Sequence, residues 1–329
     1  MNKQNGNGNV VFPQMKLDEL EKNRGYSTTM KAAWKAFFNN FKTIFKHLWP
    51  YAVGMSLVAA MYVLLALRAT TADTSVTDVI GMVASYLLLL LVAIVMAGRT
   101  YMLVNEKPFV WNIFRAAKLV VAELVVVLIL SVVIVGVIFL SVPATGSVPE
   151  VPQDAMQAEQ MRMVMVKTFA MVSLVVVVLL LLLLPYTYAV AKYVVDTKSK
   201  LMQLVWKGYK TGLRHWGYIF LTLLLTTICL FFVMLIIGLP LSVLDMAVRV
   251  NDIGVMNGDP SGMPGSIGVL TFFTAAVTFF CYSFLSVFSL FVMYYIYGSI
   301  ERRVKEREAA LGADKAQAYG SMLSMNEKA

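Results

Sequence analysis

Long runs of apolar residues, separated by short polar segments, are the main pattern of this chain. Six runs lie at about residues 49–67, 79–98, 119–142, 168–191, 217–241 and 269–297, and an α-helix needs roughly 20 apolar residues to cross a bilayer. Every residue between Ser173 and Pro185 is leucine or valine, whereas a soluble helix keeps a polar face. The runs also lack the alternation of barrel strands. The pattern predicts an all-α polytopic membrane protein, with six transmembrane helices in three hairpins and amphipathic interfacial helices.

An amphipathic surface helix is predicted before the first hairpin. Its aromatic residues recur at spacings of three and four and share one helix face: Trp34, Phe37, Phe41 and Phe45. Lys35 and Lys42 flank that face, and an aromatic face beside lysines is typical of a helix at the headgroup boundary. Pro50 predicts a bend where this helix meets the first span.

A tryptophan followed by an aromatic residue three positions later precedes each hairpin. The three pairs are Trp34 with Phe37, Trp111 with Phe114, and Trp206 with Tyr209. Internal duplication and convergence on interfacial residues both explain this repeat, because tryptophan, tyrosine and lysine favour the membrane interface. We predict these membrane-interface anchors: Trp34, Lys35, Phe37, Phe41, Lys42, Phe45, Trp49, Trp111, Trp206 and Trp216.

Lysine and arginine lie almost entirely on one predicted side of the membrane. Of 28 such residues, 24 fall in residues 1–50, 98–118, 190–215 and 300–329, and four fall on the other side. The positive-inside rule then places both termini in the cytoplasm, and the predicted location is the bacterial cytoplasmic (inner) membrane. The +9 net charge favours the bilayer and its anionic headgroups as partners. A protein partner or a second copy is also expected, and no nucleic-acid motif accompanies the charge.

Composition agrees with this class and divides the chain into three parts. Only 14% of the residues are charged, against about 25% in soluble domains, and the mean hydropathy is +0.72. Residues 1–26 are predicted to be a disordered cytoplasmic tail without a secretory signal. Residues 27–300 form the six-span membrane domain, and residues 301–329 form a basic cytoplasmic tail that is partly helical.

Polar residues inside the predicted spans are few. Glu123 is the one acid within a span and is by default a functional candidate, although pairing with Lys118 or Arg115 is the alternative. Small polar residues share one face in each of the last two spans, and they either pack the helices or line a narrow polar path: Thr222, Thr226, Cys229, Thr271, Thr274, Thr278, Cys281 and Ser289. Pro185 is either a helix end or a gate.

No residue pattern indicates catalysis, a metal or a cofactor. His47 and His215 have no partner at metal-ligand spacing, and no P-loop, nucleophile elbow, kinase motif or dinucleotide fingerprint occurs. Cys229 and Cys281 both fall near mid-membrane and are read as small apolar residues, with a chance disulfide as the alternative. The chain is therefore not predicted to be an enzyme.

Two segments resemble a known group of membrane proteins. The segments MKAAWKAFFNNFKTIFKHLWPY, residues 30–51, and WKGYKTGLRHWGYIFLTLLL, residues 206–225, are similar to bacterial six-helix integral membrane proteins of unknown role. That group includes the membrane domain fused to some glycerophosphodiester phosphodiesterases. The resemblance implies a fold type and no activity, because the phosphodiesterase catalytic domain is absent.

These observations favour an uncharacterised integral membrane protein with a non-enzymatic role. We predict a scaffold or accessory subunit that acts at the cytoplasmic membrane interface. The alternative is a permease or channel-like transporter for a small or lipid-like substrate, lined by the polar faces of the last two spans.

Overall fold

A computed structural model of the protein describes residues 15, 17–69, 75–105, 107–141, 155–258, 262 and 264–326. Nearly all of them are helical, and no strand occurs among them. The helices are α1 (Tyr26–Asn39), α2 (Phe41–Ala69), α3 (Val76–Tyr101), α4 (Phe109–Ser141), α5 (Ala155–Leu183), α6 (Tyr186–Val195), α7 (Leu201–Gln203), the π-helix π1 (Leu204–Gly208), α8 (Tyr209–Arg214), α9 (Trp216–Met256) and α10 (Ile267–Asn326).

Six of these helices are long and apolar enough to cross a membrane, namely α2, α3, α4, α5, α9 and α10. The predicted all-α polytopic fold class is therefore confirmed. Among the six spans, the extensive contacts join α9 to α10, α10 to α2, α2 to α3, α3 to α4 and α4 to α5. The six spans thus form a row in which each span packs on the next.

The core of the row lies along α10. This helix supplies half of the large side chains that are fully buried among the described residues: Val287, Phe291, Val292, Tyr295, Ile296 and Ile300. At the other end of the row, no residue is buried in the most apolar stretch of α4 or of α5. These two helices present apolar surface on nearly every side, which is the behaviour of helices surrounded by lipid.

α1 and α2 are separated at Asn40, and α2 continues through Pro50. A bend at Pro50 stays a prediction. The Asn40 side chain donates to the carbonyl of Ala36 at 2.8 Å, and the backbone N–H of Ile44 donates to the carbonyl of Asn40 at 2.9 Å. Asn40 therefore closes α1 and starts α2 through its own hydrogen bonds.

The predicted fourth span, residues 168–191, is interrupted. α5 ends at Leu183, and α6 starts at Tyr186 after a turn that contains Pro185. Proline lacks the backbone N–H that would continue the ladder, so Pro185 separates a spanning helix from a short one. The predicted helix end is observed at this proline.

The N-terminal tail is shorter than predicted. Residues 17–25, here called the strap, lie against α10 rather than in solution. Leu20 rests directly on Gly298, where a side chain would collide with the Leu20 backbone. The predicted disordered segment 1–26 is therefore wrong for residues 17–25, while residues 1–14 and 16 lie outside the described residues.

Candidate functional site

Charged and aromatic groups with defined partners gather at one end of the row. This basic layer consists of the strap, α1, α6 to α8, and residues 294–306 of α10. Its helices contact one another and the first turns of α9. Many of the hydrogen bonds and ion pairs between residues far apart in the sequence lie in this layer.

The strap is bound to α10 through both backbone and side chains. The Asp18 N–H donates to the Tyr295 hydroxyl at 3.2 Å, and Arg303 donates to the carbonyl of Arg24 at 2.8 Å. Glu21 forms an ion pair with Lys305. The Arg24 guanidinium lies 4.8 Å from the Tyr295 ring centroid, a cation–π contact. Both ends of the strap are therefore fixed to the same helix.

A second cluster joins α6 to α10. The Tyr188 hydroxyl donates to Glu301 Oε1 at 2.6 Å, and Lys192 Nζ donates to the same oxygen at 2.7 Å. Burial raises the pKa of Tyr188 above its ordinary value, and the hydrogen bond to Glu301 raises it further. Tyr188 therefore stays a hydrogen-bond donor, and Glu301 has a charged and a neutral partner.

Arg115 ties the start of α4 to the loop after α6. Its guanidinium donates to the carbonyls of Thr197 at 3.2 Å, Asp196 at 3.3 Å and Ser199 at 3.2 Å. It also lies 4.4 Å from the Trp111 ring centroid and 3.8 Å from that of Tyr193. Arg115 is buried, and its contacts fix the start of α4 against this loop.

Two asparagines form a further joint that the sequence did not reveal. Asn105 and Asn112 exchange amide hydrogen bonds of 2.9 Å in both directions, and Asn105 also donates to the carbonyl of Val194 at 3.0 Å. A buried amide needs several partners, and this pair satisfies itself while holding α6 beside α4. The only sequence signal is two asparagines seven residues apart next to a span.

The predicted anchors of the first hairpin form a seam with α10. Trp34 and Phe37 contact Phe288, with centroid distances of 5.7 and 6.0 Å. The next turns continue the pattern: Phe41 lies 6.1 Å and Phe45 5.6 Å from Phe284. Phe37 is buried, while the other three remain 41–51% exposed, so this face packs on α10 and keeps an outer aromatic edge.

The remaining predicted anchors differ in their surroundings. Lys35 forms an ion pair with Asp18 of the strap at 3.0 Å, whereas Lys42 and Trp49 are exposed. Trp206 is 78% exposed, and Trp216 donates its indole N–H to the carbonyl of Leu181 at 3.2 Å. Trp111 lies half-buried beside Arg115. Their role at a membrane surface stays a prediction.

The small polar residues of the last two spans face other helices. Thr222, Thr226, Thr271 and Thr278 are all buried, while Thr274, Cys229, Cys281 and Ser289 are half-buried. Hydroxyls in this set donate to carbonyls of their own helix four residues back: Thr222 to Tyr218, Thr226 to Thr222, and Ser289 to Leu285. Cys229 and Cys281 are free thiols.

Glu123 is exposed on the outer surface of α4. In the described part of the chain it forms no ion pair with Lys118 or Arg115, because Arg115 is turned towards the loop after α6. Its function stays a prediction. Among the described residues, no group of three histidine, cysteine or acidic side chains is placed to hold a metal ion.

A cavity opens in the basic layer between α6, the following loop and α8. Its volume is about 300 Å³, and it is lined by Tyr188, Lys192, Asp196, Lys198, Ser199, Lys200, Lys207, Gly208 and Thr211. Four lysines and one aspartate face this space. A second cavity lies between the strap and α1, with both acidic and basic lining residues.

Comparison of the chain with protein-family models, with curated proteins and with solved structures finds no match. The site must therefore be interpreted from its own residues.

Proposed function

We propose that this integral membrane protein is a non-enzymatic scaffold or accessory subunit that acts through its basic layer. One observation carries the proposal: the specific polar contacts between distant segments concentrate at this layer. Glu301 and Arg303 join separate parts of the layer, and Arg115 at the start of α4 binds the loop between α6 and α7. Such a network fixes one arrangement of helices. A fixed, charged surface beside a membrane suits the binding of a partner or a lipid surface.

Charge supports a cytoplasmic position for the layer. It contains the lysine- and arginine-rich segments that the positive-inside rule assigns to the cytoplasm. In a bacterium, this orientation corresponds to the cytoplasmic membrane. Anionic headgroups attract such segments by about 1 kcal/mol per basic residue near the surface, which favours close contact between the layer and the bilayer.

The two buried hydroxyls of α9 favour a scaffold over a permease, whereas among the described residues the buried Thr271 hydroxyl of α10 has no hydrogen-bond partner. Thr222 and Thr226 are buried and donate to their own helix, so they are already satisfied without a substrate. Hydroxyls of this kind let helices approach closely in lipid. A polar path would instead expose such groups to the passing molecule.

Site-specific photo-crosslinking in native membranes tests the proposed role. A photoreactive residue replaces exposed Glu308 at the margin of the layer, and the matched control replaces exposed Phe169 on α5. We expect discrete protein adducts, from a partner or a second copy, at position 308 and mainly lipid adducts at position 169. Equal lipid labelling at both positions would contradict a scaffold that acts through this layer.

Reconstitution tests the permease alternative. Purified protein in liposomes is compared with protein-free liposomes for the movement of small solutes and of fluorescent lipids. The scaffold predicts the same rates in both. Transport that depends on the protein and falls in Thr222→Val would overturn the scaffold and establish the permease.

A further inference from the structure

We propose that the cavity lined by Lys192, Lys198, Lys200 and Lys207 binds a phosphate-bearing anion. Its volume of about 300 Å³ lies at the small end of the range for ligand pockets and suits a single phosphate group with a small substituent. The lining brings together the ammonium groups of four lysines. Ammonium groups donate charge-assisted hydrogen bonds to phosphate oxygens.

The protein neutralises only part of the charge of the lining. Four lysines and Asp196 line the cavity, and the ion pair of Lys192 with Glu301 leaves an excess of two positive charges. Within the described residues, Lys192 pairs with Glu301, and no carboxylate forms an ion pair with Lys198, Lys200 or Lys207. Three ammonium groups around one concave space repel each other, so an anion placed between them lowers their energy.

The walls of the cavity are held in place before any anion binds. The Arg115 guanidinium donates hydrogen bonds to three carbonyls of the loop between α6 and α7. The Asp196 carboxylate accepts a hydrogen bond from the Lys198 backbone N–H at 3.0 Å. On the opposite wall, Gly212 packs so closely on the Pro185 carbonyl that no side chain fits between them. A preformed cradle loses little conformational entropy on binding.

The cavity adjoins a surface that suits the membrane interface. Met202 and Trp206, on the segment that carries Lys207, are 86% and 78% exposed. Exposed tryptophan beside lysine is typical of the headgroup region. A phospholipid headgroup and a free phosphate ion therefore present the same chemistry to these lysines. Binding of a lipid headgroup rests on the proposed position of the layer at the cytoplasmic membrane interface. Binding of phosphate itself does not rest on that position.

The test compares two variants of the full chain that lose the same charge. The site variant combines Lys198→Gln, Lys200→Gln and Lys207→Gln. The control variant combines Lys31→Gln, Lys46→Gln and Lys118→Gln, three exposed lysines outside the cavity. All six side chains are exposed, so both variants should fold. Size-exclusion profiles and thermal unfolding in detergent confirm this.

Two binding arms distinguish the sources. In the first arm, inorganic phosphate is titrated onto the protein in a neutral detergent by calorimetry. In the second, native mass spectrometry measures retention of phosphatidylglycerol relative to phosphatidylcholine. Each lysine near a phosphate contributes roughly fivefold in affinity, so we expect the site variant to bind at least about tenfold more weakly and the control to match the wild type.

Saturable binding of inorganic phosphate that is lost in the site variant supports a site for soluble phosphate compounds. Selective retention of phosphatidylglycerol alone, lost in the same variant, supports a headgroup site. If neither probe binds, or if the two variants weaken binding equally, the proposal is overturned. The cross-linking result at position 308 does not depend on any of these outcomes, so failure of this site and failure of the scaffold role are separable.

Discussion

Gly298 is the position at which one methyl group should release the strap. A Cβ built at Gly298 lies 2.8 Å from the Leu20 carbonyl carbon and 2.6 Å from Leu20 Cδ1, where ordinary contacts begin at 3.4 Å. The clash includes backbone, which cannot rotate away as a side chain can. Gly298→Ala therefore forces the strap off α10 or distorts the helix.

The same substitution elsewhere in α10 provides a matched control. No atom lies within 4 Å of a Cβ built at Gly312, and that residue is exposed in the same helix. Alanine is favoured over glycine inside a helix by about 1 kcal/mol, so Gly312→Ala should leave the strap unchanged and stabilise its helix slightly. At Gly298 alanine gains the same helix propensity, but the clash with Leu20 costs about 1–3 kcal/mol and opposes that gain.

Hydrogen exchange reports the outcome directly. The Asp18 N–H donates to Tyr295 and the Lys22 N–H to the Leu20 carbonyl, so these amides are protected while the strap is bound. In Gly298→Ala we expect exchange of the peptide covering residues 17–25 to speed up by roughly fivefold or more, since about 1 kcal/mol corresponds to that factor. Equal exchange in both alanine variants would refute the close contact between strap and helix.

Three other substitutions probe the remaining joints. Arg115→Gln should lower the free energy of unfolding by about 2–4 kcal/mol, because three loop carbonyls lose a charged donor, and thermal unfolding in detergent measures this loss. Tyr188→Phe should cost about 1–2 kcal/mol. The folded-state pKa of Tyr188 is raised above 10.0, so the protonated hydroxyl stabilises the wild type below pH 10.0. The difference in unfolding free energy between the wild type and Tyr188→Phe should then shrink as the pH rises above 10.0. A constant difference in more alkaline solution contradicts this. Thr222→Val should change stability by less than about 1 kcal/mol, since its hydroxyl bonds only within α9, and a larger loss in unfolding assays contradicts a purely local hydroxyl.

Much of the fold was predictable because its causes are local. Apolar runs long enough to span a bilayer identified all six spans, and Pro185 marked the end of α5. The helix break at Asn40 was not predicted, because it depends on the hydrogen bond from the Asn40 side chain to the Ala36 carbonyl.

The joints of the basic layer were not predictable from periodicity. The partners of Arg115 and Glu301 lie roughly 80 and 110 residues away in the chain, so no local spacing indicates these contacts. The contact of Gly298 with the strap depends on the path of a segment whose composition predicted disorder. Sequence patterns describe one face of one helix, whereas these contacts arise from how separate helices meet.

We propose that the basic layer, with the strap bound on it, faces the cytoplasm at the membrane surface. Single cysteines introduced in a chain lacking Cys229 and Cys281 test it with a membrane-impermeant maleimide. The exposed probes are Lys22→Cys and Lys207→Cys on the layer, and Thr77→Cys and Ser266→Cys on the opposite side. In spheroplasts we predict labelling at 77 and 266 only, with labelling at 22 and 207 after lysis. Labelling of 22 or 207 in intact spheroplasts, or of all four from the same side, would contradict the account.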